Sequence, residues 1–237
     1  MRGSAETASH KTGLVASGGG IFRAHSVFGQ GACEVSGKPT GHSRRTGVAR
    51  HSFRRPLAIL ESSYLTALRT GLAGALGAGA LALPSAERAA ITGAGVQGRS
   101  QLAALRMVRS VASVRVFDLS GDAARRFLAD PACAGLNACA SSMDDALDDA
   151  QIVITATWAR EPLLLRRHLK PGMHITTLGP DQPGKCEVSA EALLAVRVVV
   201  DDRKLALEMG TVGGAGLGLD CNPCGVGGSD RAAAAGT

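Results

Sequence analysis

Between Ala89 and Val200, short aliphatic runs alternate with stretches of helical periodicity, and no other feature constrains the fold as tightly. Ala89–Thr92, Val114–Leu119, Ile152–Thr157, His174–Leu178 and Val196–Val200 read as strands. Between them, Gln97–Val108, Asp122–Ala129, a short segment opening at Ser142, Leu163–Leu169 and a stretch capped by Ser189 and running to Leu194 read as helices. Strands separated by helices need crossover connections, and crossovers build parallel sheets. The expectation is an α/β fold with a Rossmann-type, doubly wound parallel sheet.

Outside this stretch the pattern weakens. Leu57–Leu60 is a strand candidate, and Thr66–Leu83 reads as a helix diluted by Gly71, Gly74, Gly77 and Gly79 and stopped by Pro84. Residues 1–56 are rich in Gly, Ser, Arg and His and keep neither a period of 2 nor one of 3.6. Tracts such as His42-Ser43-Arg44-Arg45 and His51-Ser52-Phe53-Arg54-Arg55 suggest a solvated basic tail, expected to be poorly ordered. An Arg/Ser-rich, acid-poor leader is also what an organellar transit peptide looks like. After about Gly218 the chain becomes irregular again.

Charge follows the same division. The net charge is +6, yet residues 1–56 carry nine of the 26 Lys/Arg and two of the 20 Asp/Glu, a balance of +7, leaving −1 for the rest. The basicity therefore says nothing about partners of the main body. Phe22, Phe28 and Phe53 are not interleaved with basic residues as a base-stacking platform requires, so nucleic acid is not an expected partner. The most apolar run, Leu72–Leu83, has twelve residues, short of the roughly 18 of a membrane span. Six Cys at 33, 133, 139, 186, 221 and 224 show no framework spacing and are expected to be thiols in a reducing cytoplasm. Cys221 and Cys224 form a CxxC without a second pair, so no metal site is expected. With 3% aromatic residues and 31 Gly, any core must rest on Ala, Leu and Val packed closely.

The chemistry starts at Gly93-Ala94-Gly95-Val96-Gln97-Gly98, between a strand and a helix. In that context Gly93 makes the tight turn, Gly95 lets a pyrophosphate approach the backbone, and Gly98 lets helix and strand pack. The helix N-terminus then offers free N–H groups to phosphates. Asp118, twenty residues beyond Gly98 at the next strand's end, can accept from adenosine ribose hydroxyls and repels a 2′-phosphate, which favours NAD over NADP. The alternative for Asp118 is a turn-starting residue with Ser120 and Gly121.

Further motifs occur in order along the chain: Tyr64-Leu65-Thr66-Ala67-Leu68-Arg69-Thr70-Gly71, Ile154-Thr155-Ala156-Thr157, and Gly179-Pro180-Asp181-Gln182-Pro183-Gly184-Lys185-Cys186-Glu187. With these, residues from about Pro56 to Gly218 resemble the ornithine cyclodeaminase/mu-crystallin family. The sequence from Lys185 to Ser189 is most similar to its ectoine-utilisation branch. The resemblance implies an NAD cofactor and an amino-acid substrate. The implied reaction takes hydride from the amino-acid Cα to give an imine. A terminal amine closes the ring with loss of ammonia, and hydride return gives a proline-like product. It implies that Arg69 contacts the substrate carboxylate and the cofactor phosphate, two anions that suit a guanidinium fork. It also implies that Asp181 is the catalytic proton-transfer residue or holds the substrate amine, that Lys185 is a cofactor contact, and that Val96, Gln97 and Thr157 lie along the dinucleotide.

The family also carries a substrate-binding Arg and a catalytic Lys in a folded N-terminal half that builds a homodimer. Before Pro56 the lysines are Lys11 and Lys38, neither in a matching context. The expected organisation is a poorly ordered segment 1–56, a remnant of the substrate/dimerisation domain with its connecting helix over 57–84, an NAD-binding domain over 85–218, and an irregular tail over 219–237. Unmatched ends suggest a truncated or frameshifted copy. Three readings stay open: a cyclodeaminase acting on an ornithine-like diamino acid, a ketimine reductase or amino-acid dehydrogenase on the same scaffold, and a non-catalytic dinucleotide-binding remnant.

Overall fold

The computed structural model describes residues 26–32, 44–50, 56–61, 63–178, 185–200, 206–207, 211–217 and 224–225. Two compact units result, with the break between Leu68 and Arg69.

The first unit contains an antiparallel sheet in the order β1 (Ser26–Ala32), β2 (Arg44–Arg50), β3 (Pro56–Glu61), with a register irregularity at Val48/Ala49. The sequence suggests only the last of these strands. In β1 and β2 apolar side chains are interrupted by Gly29, Gly31 and Gly47, so no period of 2 signals them, and their pairing is non-local. Helix α1 (Ser63–Leu81) opens in this unit and continues into the second.

The second unit is built on a five-stranded sheet ordered β6 (Asn137–Ala140), β5 (Ser113–Phe117), β4 (Arg88–Thr92), β7 (Ile152–Thr155), β8 (His174–Thr177). All four pairings are parallel. Counted from β4, the order is 3-2-1-4-5, that of a doubly wound fold. Because side chains alternate across a strand, Ala90 joins one core with Val153, Leu147, Leu164 and Leu193, while Ile91 joins the other with Val114, Val116, Ile152, Leu102, Leu105 and Phe127. Both faces are covered by apolar side chains, as a parallel sheet demands. Helices α2 (Val96–Val108), α3 (Gly121–Leu128) and α4 (Met143–Asp148) make crossovers between strands of this sheet, and α5 (Ala190–Leu194) follows β8. Ser120, Ser142 and Ser189 cap the last three by accepting backbone N–H bonds.

Two local expectations are corrected, and one strand is added. Leu163–Leu169 is not an α-helix; only Arg166–His168 makes a 3-10 turn. Leu164 bridges in parallel to Val188, and Lys170 precedes Pro171, which disfavours helical backbone at that position. Val196–Val200 does not extend the main sheet: β9 (Val199–Val200) pairs instead with β10 (Cys224–Gly225). The edge strand β6, with Asn and Ala rather than β-branched residues, gives no sequence signal at all.

The glycines of α1 do not break it. At Gly71 a Cβ would lie 2.7 Å from the Ser100 carbonyl oxygen, and at Gly74 it would overlap the Gln101 side chain. They are the places where α2 comes close, held by a 2.8 Å bond from Gln101 Nε2 to the Thr70 carbonyl. The C-terminal end of α1 is capped from α2. The Arg109 guanidinium donates to the carbonyls of Ala78 (3.0 Å), Gly79 (3.0 Å), Ala82 (2.6 Å) and Leu83 (3.0 Å). A cation at a helix C-terminus also meets the negative end of the dipole. Arg109→Met, which keeps the stem but no donor, is expected to cost about 1.5–3 kcal/mol, the range for hydrogen bonds to a charged group. Urea unfolding measures it; a loss below about 0.5 kcal/mol, the size of a neutral surface change, overturns this cap.

Candidate functional site

β4, first strand of the parallel sheet, lies at its centre, with β5 on one side and β7 on the other. Chain connections therefore leave β4 and β7 in opposite directions and open a crevice at the carboxyl ends of the strands, where such sheets take their ligands.

The turn from β4 into α2 is shaped by three glycines in different surroundings. Gly93 has φ +97°, a left-handed conformation that side chains disfavour, and its N–H donates to the Phe117 carbonyl at 2.8 Å. At Gly98 a Cβ would overlap the Gly93 carbonyl oxygen and lie 3.2 Å from Ile91 Cγ2. Gly95 is the opposite case: none of the described residues lies within 4 Å of where its Cβ would be. It caps α2 with extended backbone and, having no side chain, makes no cap hydrogen bond to the first-turn amides. Open space over an uncapped helix N-terminus suits an anion. Val96, the first helical residue, is exposed; Gln97 is half-buried, and its buried Oε1 has no hydrogen-bond partner among the described residues.

Asp118 stands one residue beyond β5. Its Oδ2 accepts from the Ala94 N–H at 2.7 Å and its Oδ1 from the Ser120 N–H at 2.8 Å. Each carboxylate oxygen has a second lone pair. The side chain can thus steady the glycine turn and still accept from ligand hydroxyls. Arg69, half-buried, lies on α1 two residues before Gly71, where that helix meets α2.

The facing wall is formed by the loop after β7 and the segment 185–189. Cys186 N–H donates to the Ala159 carbonyl at 3.0 Å, and the Leu163 and Leu164 N–H groups donate to the Glu187 carbonyl at 3.0 and 2.9 Å. Lys185 is buried, its Nζ 3.3 Å from the centroid of the Trp158 ring, a cation–π contact. The Glu187 carboxylate is buried too. It accepts from Thr155 Oγ1 at 2.9 Å and from both Thr157 N and Thr157 Oγ1 at 2.7 Å. Burial pushes its carboxyl above the ordinary range, while the hydrogen bonds from Thr157 and Thr155 and the Lys185 charge pull it back.

The glycine turn and Asp118 are thus held together by direct bonds, and Thr157 and Lys185 share the loop–segment wall. Asp181, with the rest of 179–184, lies outside the described residues. Sequence reasoning gave no role to Glu187 or Trp158. A usable signal for the glutamate existed: a charge set beside apolar Val188, and Thr155 and Thr157 spaced so that both hydroxyls share one face.

Residues 50–217 match the sequence profile of the ornithine cyclodeaminase/mu-crystallin family. The alanine dehydrogenase of Archaeoglobus fulgidus is 33% identical over 157 residues, 66% of this chain and 48% of the relative. The ornithine cyclodeaminase of Agrobacterium tumefaciens is 34% identical over 149 residues, 62% of this chain and 42% of its own. The chain spans about half the length of these curated relatives. Among solved structures, the Thermococcus litoralis Delta(1)-pyrroline-2-carboxylate reductase, in complex with NADH and L-proline, superposes with a TM-score of 0.65 at 29% identity, over 71% of this chain and 53% of that one. A profile match over more than two thirds of the chain, on a 3-2-1-4-5 sheet with its glycine turn intact, means that the protein belongs to the ornithine cyclodeaminase/mu-crystallin family.

Proposed function

We propose that this chain carries a site for NAD(H) and belongs to the branch of amino-acid chemistry in which a Cα–N bond is interconverted between amine and imine. The observation that carries the reading is the turn at Gly93–Gly98: open space over Gly95, an uncapped α2 N-terminus, and the Asp118 carboxylate bonded to the same turn. Those features fit a dinucleotide's pyrophosphate and ribose, and NAD(H), when bound, supplies the hydride acceptor and donor. The first-turn amides of α2 would hold the pyrophosphate, and Asp118 would take the ribose hydroxyls and repel a 2′-phosphate. Arg69 would clamp carboxylate and phosphate oxygens, and Lys185 would contribute charge from the facing wall. Asp181 would move the proton at the substrate nitrogen. The substrate is an α-amino or α-imino acid, with an ornithine-like diamino acid giving an ammonia-lyase through ring closure. Reduction of a cyclic imine is the second reading, favoured by the structural likeness to a reductase bound to L-proline.

Fluorescence titration with NADH and then NADPH tests the cofactor assignment. Saturable NADH binding, at least about tenfold tighter than NADPH, is expected for a carboxylate at position 118. Equal affinities overturn the assignment of Asp118. With an ornithine or cyclic-imine turnover assay in hand, Asp181→Asn is expected to lower the rate by about 100-fold or more while leaving the NADH affinity in place. Unchanged turnover removes Asp181 from the mechanism. Among the described residues, no helix is long and apolar enough to cross a membrane.

A further inference from the structure

We propose that Glu187 is a positioning residue of the dinucleotide site, acting through Thr157 on the glycine turn. This rests on the cofactor reading above. A carboxylate withdrawn from water has to be matched by donors, and Glu187 collects three, two of them from Thr157. The consequence for Thr157 is strict. Its backbone N–H and its single hydroxyl proton both go to Glu187 Oε1, and the hydroxyl also accepts from the Ala159 N–H at 3.2 Å. Thr157 therefore has no donor left for a ligand; a dinucleotide meets its methyl group or a lone pair.

That methyl group has a definite place. Thr157 Cγ2 lies 3.2 Å from the position a Cβ on Gly93 would occupy, and the neighbouring Ala156 carbonyl borders the same point. With its hydroxyl held by Glu187, the rotamer of Thr157 is fixed with the methyl toward the Gly93 turn. The backbone repeats the connection: Leu163 and Leu164 donate to the Glu187 carbonyl, and Cys186 donates to Ala159. One buried carboxylate thus links the wall bearing Lys185 to the turn that would receive the pyrophosphate.

The test compares the full-length chain with Glu187→Gln, Glu187→Leu and Thr157→Val, by NADH titration and by hydrogen exchange of peptides spanning 91–98 and 78–83. Glu187→Leu removes every acceptor. It is expected to weaken NADH by about tenfold and to speed exchange over 91–98, with 78–83 unchanged because Arg109 caps that end. Glu187→Gln keeps one acceptor oxygen for the two Thr157 donors and can accommodate the Thr155 hydroxyl with its amide. It is expected to stay within about threefold of the parent chain. Thr157→Val cuts the hydroxyl link from the other side, keeps the shape, and reproduces the faster exchange over 91–98 should the leucine variant not fold. Wild-type exchange over 91–98 in both Glu187→Leu and Thr157→Val, a uniform rise in exchange across both peptides, or a glutamine variant as impaired as the leucine one overturns the proposal. If the parent chain fails to bind NADH, the cofactor reading falls, and the exchange data alone decide whether Glu187 positions the turn.

Discussion

Gly98→Ala is expected to abolish measurable NADH binding and to destabilise the fold by about 2–4 kcal/mol, through a single added methyl group. The Cβ would overlap the carbonyl oxygen of Gly93, a backbone atom fixed in place by the bond from Gly93 N–H to Phe117. It would also press on Ile91 Cγ2, and Ile91 is fully buried. Neither neighbour is the free end of a flexible side chain, so α2 itself must move away from β4. That motion carries the first-turn amides with it, and at least about 100-fold in NADH affinity should go, a loss of about 2.7 kcal/mol. Thermal unfolding and fluorescence titration together measure both effects. Parent-like NADH affinity in a folded Gly98→Ala protein would falsify the idea that this turn receives the cofactor.

Gly95 gives the complementary result. A serine Cβ there meets none of the described residues within 4 Å, and the residue fits the extended cap backbone. As an N-cap it accepts from first-turn amides and so raises the stability of the free protein by a few tenths of a kcal/mol. Those are the amides that a pyrophosphate needs. Gly95→Ser is expected to hold or raise the unfolding midpoint while weakening NADH about tenfold, an opposite sign for stability and for binding. Fold maintenance and ligand access are then separated within four residues of one turn.

What was legible beforehand, and what was not, follows from where each constraint resides. The glycine turn could be read because its requirement is local: a left-handed backbone at Gly93 and a close approach at Gly98 are written as missing side chains. The strands around the centre were equally visible, since Ala89–Ile91 and Ile152–Ile154 are the continuous apolar runs of buried parallel strands and Val114 and Val116 keep a period of 2 in β5. Non-local pairings left less trace. β6 is strand only because β5 offers it an edge, and β9 left the main sheet for β10 although Val199 and Val200 look like any interior strand. The stretch after Leu163 has helical composition, yet pairing of Leu164 with Val188 keeps it extended. Arg109 and Glu187 escaped for the same reason, because their partners lie 26 to 32 residues away in the chain. A residue's type shows what it can bond to and leaves open which distant atoms will be there.

Acidification from pH 7 to pH 4 is expected to cost the fold roughly 3 kcal/mol through one side chain, His174 on β8. The imidazole is buried, with Nε2 3.0 Å from Thr176 Oγ1. Burial penalises the charged form and the Arg109 charge adds repulsion, so the ring is held down to about 4 against an ordinary 6.5. Because the folded value is the depressed one, the unfolded chain takes up the proton first. The contribution is fully present above pH 6.5, declines as the pH falls, and is gone below about 4. Glu187 works the other way in the acidic part of this range. Its carboxyl is raised by burial, so its contribution is full below the ordinary value of 4.5 and is lost as pH rises through its folded value. The total stability profile mixes the two, and the difference between the parent and His174→Gln separates them. Glutamine keeps a hydrogen-bonding group for Thr176 and cannot titrate. The stability difference, measured by urea unfolding at a series of pH values, should be flat above pH 7 and shift by roughly 3 kcal/mol in favour of the variant by pH 4. A difference that stays constant across the range would mean that His174 is protonated as readily inside the fold as outside it, and that β8 is open to water at that point.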